Sequence, residues 1–194
     1  MTVLFTEGFD KYGFTIGNDT VVAQLFLGGE WNSCSGGNIV NGLSGSVNNY
    51  AYQLSSNTVA TRTLATNYNR LIGGVRFSLS ALPSAGGNGP AVANFLDVGT
   101  AQCCITFDAS GHILFKNGSV TSATIIATST VNVSATSVHY IEFDIAFSAT
   151  GAYTIWLDGV SILTGTGNTI TTANSYANQF GFTNPTTSIP SLSV

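Results

Sequence analysis

The acids best placed to act together are Glu142 and Asp144, two residues apart in His139-Tyr140-Ile141-Glu142-Phe143-Asp144-Ile145-Ala146-Phe147. In an extended chain that spacing puts both carboxylates on one face. Glycoside hydrolysis uses such a pair, one acid as nucleophile or base and the other as proton donor. A strand built for this work carries a further acid just beyond, and here Ala146 and Phe147 occupy those positions. Without it, the nucleophile has no proton donor opposite. Glu142 and Asp144 therefore read as the wetted face of a strand, and no enzymatic activity is expected.

Other chemistry is thinner still. His112 and His139 are the two histidines available as bases, and no Gly-x-Ser-x-Gly elbow occurs. Cys104 could approach either histidine, but ordinary core packing accounts for it. Cys34, Cys103 and Cys104 are odd in number and lack scaffold spacing, so they read as free thiols. Cys103 and Cys104, adjacent in a β-like run, should face opposite ways. Asp97, Asp108 and Asp158 are the candidates for calcium, which needs six to eight oxygens and usually converging carboxylates. Each is equally explained by a turn, so no metal or cofactor is expected. Gly28-Gly29, Gly36-Gly37 and Gly86-Gly87 precede no helix and imply no phosphate cradle. The aromatics Trp31, Tyr50, Tyr52 and Tyr68 sit in or beside Asn- and Gly-rich loops. They are the candidates for contact with a glycan or a protein partner, as an apolar wall with polar neighbours.

The elements that must position these residues are strands. The 194 residues hold 44% hydrophobics, 22 Gly and 12 Phe, but only 7% Asp, Glu, Lys and Arg. Nine acids and five scattered bases give a net charge of −4, which excludes the clustered cations that nucleic-acid binding requires. The amino end has neither a basic head nor a long apolar segment, so neither a signal peptide nor a membrane span is expected, and synthesis in a host cytoplasm follows. Ile141, Phe143, Ile145 and Phe147 alternate with Tyr140, Glu142, Asp144 and Ala146, the pattern of a half-buried antiparallel strand. Val75, Phe77 and Leu79 share a face beyond the Gly73-Gly74 pair. Asp158-Gly159 predicts a type I′ hairpin between 152–157 and 160–163. Asp108 to Gly111 and Asn117-Gly118 mark further turns. Strands are also expected at 3–5, 21–27, 59–63, 91–97, 104–107, 112–115 and 179–182, while 32–49 and 83–90 read as irregular. Many short strands and no long helix predict a β-sandwich or barrel in one domain spanning 1–194.

The order of three pieces, His139 to Phe143, Ala149-Thr150-Gly151 and Ile155-Trp156-Leu157-Asp158-Gly159, resembles the concanavalin A-like, or laminin-G-like, jelly-roll superfamily. Leu4 to Tyr12 and Asp97 to Phe115 are similar to laminin-G-like domains of tailed-bacteriophage structural proteins. The carboxyl end departs from the resemblance: Ile189-Pro190-Ser191-Leu192 stands where an Ile-Asp-Asp strand is common, which removes acids from a rim site. The resemblance implies an all-β, antiparallel jelly-roll sandwich. It further implies a virion protein, a capsid decoration or else a tail or fibre component, with the major capsid protein or a tail protein and further copies of itself as partners. The alternative is a lectin-like module that recognises a host-surface glycan. Neither reading involves nucleic acid or membrane.

Overall fold

The computed structural model describes residues 31–35, 37–41, 50–85, 89–121, 124–185 and 191–194. The expected strands at 3–5 and 21–27, and Pro190, lie outside these. The described residues contain no helix and form two antiparallel sheets of seven strands each. In chain order the strands are β1 (Ser33–Cys34), β2 (Asn38–Asn41), β3 (Tyr50–Leu54), β4 (Thr58–Tyr68), β5 (Arg70–Leu79), β6 (Ala91–Asp97) and β7 (Thr100–Phe107). They continue with β8 (His112–Asn117), β9 (Thr124–Asn132), β10 (Val138–Ala146), β11 (Gly151–Leu157), β12 (Val160–Gly167), β13 (Ala177–Asn184) and β14 (Leu192–Ser193). One sheet runs β1-β4-β13-β6-β7-β8-β9 and the other β12-β11-β10-β5-β14-β3-β2. The chain passes back and forth between them, so neighbours in a sheet are often distant in sequence. This is an all-β sandwich of the jelly-roll class.

The inward rows are the alternating apolar residues. Ile141, Phe143 and Ile145 of β10 meet Phe95 of β6 and Phe180 of β13 across the gap. Phe95 and Phe143 contact edge to face, with ring centroids 5.0 Å apart, and Phe143 stacks on Phe180 at 5.9 Å. Phe77 with Phe107 at 5.2 Å and Phe115 with Tyr153 at 4.8 Å extend the aromatic layer. Such rings bury large apolar area and add about 0.5–1.5 kcal/mol per favourable pair.

Turn chemistry follows the sequence. Asp158 and Gly159 both have positive φ, 51° and 82°, as a type I′ hairpin demands. Gly111 (φ 83°) and Gly118 (φ 84°) close the turns after β7 and β8. Three features differ from the sequence reading. Gly73-Gly74 does not interrupt β5; the strand passes straight through, paired with Phe143 and Glu142 of β10. Within 32–49, read as irregular, the short strands β1 and β2 form, paired with β4 and β3. Cross-strand partners supply these ladders; the local polar sequence gives no alternation to read. β9, with Thr and Ser on both faces, likewise forms by pairing with β8.

Candidate functional site

The two outer faces of the sandwich differ. Over β7 and β8 the outer face is covered by the residues at 89–91 and 118–121. Cys104 packs with Ala91 and Val120, Thr106 Oγ1 donates to the Gly89 carbonyl at 2.9 Å, and Lys116 Nζ donates to the Val120 carbonyl at 3.1 Å. The outer face of β5, β10 and β11 is open. Its register is set by β10: Tyr140 lies opposite Arg76, Glu142 opposite Gly74, Asp144 opposite Ile72, and Trp156 and Thr154 flank Glu142 and Asp144 on the other side.

The centre of this face is a row of two aromatic rings and a carboxylate. Tyr140, 44% exposed, leans across the sheet onto Gly74; a Cβ at Gly74 would sit 2.7 Å from the ring's Cζ. A side chain at position 74 would collide with the tip of the ring, so glycine there makes the room that the tyrosine occupies. Trp156, half-buried, occupies the opposite flank of Glu142. The tyrosine over β5 and the tryptophan on β11 are therefore separated by about two strand spacings, on the order of 10 Å, with Glu142 between them. Beside this row Arg70 makes a bidentate pair with Asp144, Nε to Oδ1 2.6 Å and Nη2 to Oδ2 2.5 Å. That contact raises the Arg70 guanidinium further above its ordinary range, through the hydrogen bond first and then the charge of Asp144. Glu142 and Asp144 do share one face, as their spacing predicted, but Asp144 is held by Arg70.

The aromatics singled out in the sequence have different places. Trp31 is buried against Phe182, centroids 5.4 Å apart. Tyr52 is wholly buried, and its hydroxyl lies 3.1 Å from Cys34 Sγ. Tyr68 packs on the edge of the core. Burial leaves Trp31 and Tyr52 no open stacking surface, whereas Tyr68 stays half-buried. Tyr50 opens β3, paired with Asn41. Tyr140 was visible in the sequence as a polar-face position of its strand and Trp156 only as part of a strand, and nothing local distinguishes an open outer face from a covered one.

Each aspartate considered for calcium has hydrogen-bond partners nearby. Asp97 Oδ2 accepts from Thr172 Oγ1 at 2.9 Å and Asn174 Nδ2 at 2.8 Å. Asp108 holds His112, with Oδ2 to Nδ1 2.9 Å, and Asp158 holds His139, with Oδ2 to Nδ1 2.8 Å. Among the described residues no three His, Cys, Asp or Glu converge. The adjacent thiols face opposite ways, Cys103 into the main core and Cys104 into the small outer cluster. Burial pushes the Cys104 thiol up to about 12, against a smaller opposing effect of the Lys116 charge, so it supplies no thiolate near neutral pH.

No protein-family model and no curated protein matches the sequence. Solved structures share its fold. The chain is similar to a carbohydrate-binding module, CBM66, from Bacillus subtilis, with a TM-score of 0.54 and 11% identity over 84% of this chain and 90% of that one. It is similar to the alginate lyase Aly36B, with a TM-score of 0.56 and 10% identity over 96% and 91%. It is also similar to a carbohydrate esterase of the Shiga toxin-encoding bacteriophage phi24B, with a TM-score of 0.53 and 19% identity over 84% and 86%. The fold is thus one used by carbohydrate-binding modules and polysaccharide lyases. This corrects the expectation that the chain has no enzymatic role: alginate lyases carry the same architecture. The missing carboxylate beside Glu142 argues against two-carboxylate hydrolysis and against nothing broader.

Proposed function

We propose that the chain recognises carbohydrate, with the open face of β5, β10 and β11 as the binding surface. The observation that carries this reading is the row formed by Tyr140 on Gly74, Glu142 and Trp156. A sugar ring presents an apolar C–H face that packs on an aromatic ring, and a rim of hydroxyls that bonds to carboxylates and guanidinium groups. Both kinds of group stand here side by side. Their separation across three strands suits a chain of several sugars better than a single one. The carbohydrate-binding module and lyase among the structural neighbours support the same reading.

A glycan array, followed by calorimetry on the best ligand, tests it. Tyr140→Ala and Trp156→Ala should each weaken binding by about tenfold or more, given roughly 1–3 kcal/mol for a stacked aromatic anchor, while the melting temperature stays close to that of the parent. A blank array, with calcium and with chelator, would remove the reading. Placement on a bacteriophage particle, beside a capsid or tail protein and copies of the chain, is a second reading supported by the phage esterase neighbour. A fixed ratio to the coat protein in mass spectrometry of purified particles is its expected outcome, and absence from particles would end it.

A further inference from the structure

At the end of the aromatic row, where β10 begins and the β11–β12 hairpin closes, three side chains line up. Asp158 Oδ2 lies 2.8 Å from His139 Nδ1, and Ser134 Oγ lies 3.4 Å from His139 Nε2. The Ser134 amide also donates to Nε2, at 3.4 Å. A nitrogen that accepts from the amide carries no proton, so the Nε2 lone pair faces Ser134 and Nδ1 holds the proton toward Asp158. This is the tautomer a general base needs. The imidazole is fixed in orientation: its ring packs on Phe77, centroids 5.8 Å apart, and its side chain is 14% exposed. The carboxylate is fixed as well, because its other oxygen accepts from the Tyr140 amide at 2.7 Å. Ser134 itself is exposed. Its hydroxyl donates to Ser137 Oγ at 2.8 Å and needs only a turn of the O–H about the Cβ–Oγ bond to donate to Nε2 instead. Hydrogen bonds between nucleophile and base are commonly long before substrate arrives.

We propose that Ser134, His139 and Asp158 hydrolyse O-acyl esters carried by a carbohydrate bound on the neighbouring Tyr140–Trp156 face. Ser134 Oγ adds to the acyl carbon as its proton passes to His139 Nε2. The bond from carbonyl carbon to sugar oxygen then breaks, and the sugar hydroxyl leaves with that proton. Water attacks the acyl-serine, gives its proton to Nε2, and releases the acid with the Ser134 hydroxyl restored. Ser134 and His139 are the catalytic residues, and Asp158 is a positioning residue acting through the imidazole. The choice of a carbohydrate as the carrier rests on the function proposed above; the nucleophile does not.

The test uses the full chain with 4-nitrophenyl acetate, O-acetylated xylan and a fluorophosphonate probe. The expected result is turnover of both esters and a single label on Ser134. Ser134→Ala, a change at an exposed position, should remove the label and lower kcat by at least about a hundredfold. Asp158→Asn should lower kcat by at least about tenfold at unchanged KM, with a melting curve showing the fold retained. No hydrolysis above the buffer rate, or labelling that survives Ser134→Ala, would overturn the proposal. A pair that merely latches the hairpin would leave no label on Ser134 in the parent chain and no turnover for Asp158→Asn to lower, whatever the melting temperature does. If Ser134 cleaves the small ester but xylan is untouched and Tyr140→Ala changes nothing, the carbohydrate carrier fails, while the function above stands or falls by the glycan array.

Discussion

Asp108 and Asp158 do the same work at two turns, each holding the histidine of a neighbouring strand and capping its backbone amides. Burial pushes both carboxyls up, but it is outweighed by the hydrogen bonds from histidine ring and backbone and by the histidine charge, and the result lies below the ordinary carboxylate value. A folded-state pKa below the unfolded one means stabilisation that is complete above the unfolded value, about 4, and lost as pH falls through the folded value. Denaturant midpoints should therefore hold from pH 7 to about 5 and fall steeply below about 4. In the double variant Asp108→Asn, Asp158→Asn that acid limb should flatten, while a limb unchanged by the two substitutions would assign it to other acids. Both turns were legible from the sequence, since Asp-Gly and Asp-x-x-Gly name their own backbone conformations. The His139 partner of Asp158 was not, because the two meet across a strand pair whose register only the fold sets.

At the scale of elements, strands with strict alternation were readable, and those stabilised from outside were not. β6 was placed at its observed bounds, 91–97, and β10 within one residue of its observed ends. The loop at 168–176 shows what lay beyond reach. Gln102, fully buried on β7, accepts from the Thr171 amide at 2.7 Å and donates to the carbonyls of Asn174 and Tyr176 at 2.9 and 3.0 Å. Its partners lie about seventy residues along the chain, and one glutamine in a polar run gives no sign of them. Gln102→Ala leaves those groups without their bonds and should cost about 1–3 kcal/mol. Amide exchange at Thr171 and Thr172 should then quicken relative to the core strands, and unchanged exchange there would show that the other bonds to the loop, from Asp97 and Asn117 among them, hold it without Gln102. The binding face was half legible for a related reason. Alternation shows which residues of β10 point outward, yet only the sandwich decides which outer face stays open.

Across the whole molecule, a chain with 7% charged residues keeps its surface wet with hydroxyls and amides and concentrates its apolar mass in one aromatic layer between the sheets. Few of its groups titrate, so its stability should respond to pH chiefly through the turn aspartates. The same economy leaves three cysteines as the reactive soft groups, none in a disulfide. Cys34 is partly accessible, whereas Cys103 and Cys104 sit back to back on the two sides of β7. Those two thiols make the sheet its own clock. A thiol reagent should consume Cys34 at once and then wait, because Cys103 is reached only when the sandwich parts. Cys104 needs just the turn over Val120 to lift. The interval between their modification thus separates breathing at the surface from opening of the core, with no cysteine added to the chain.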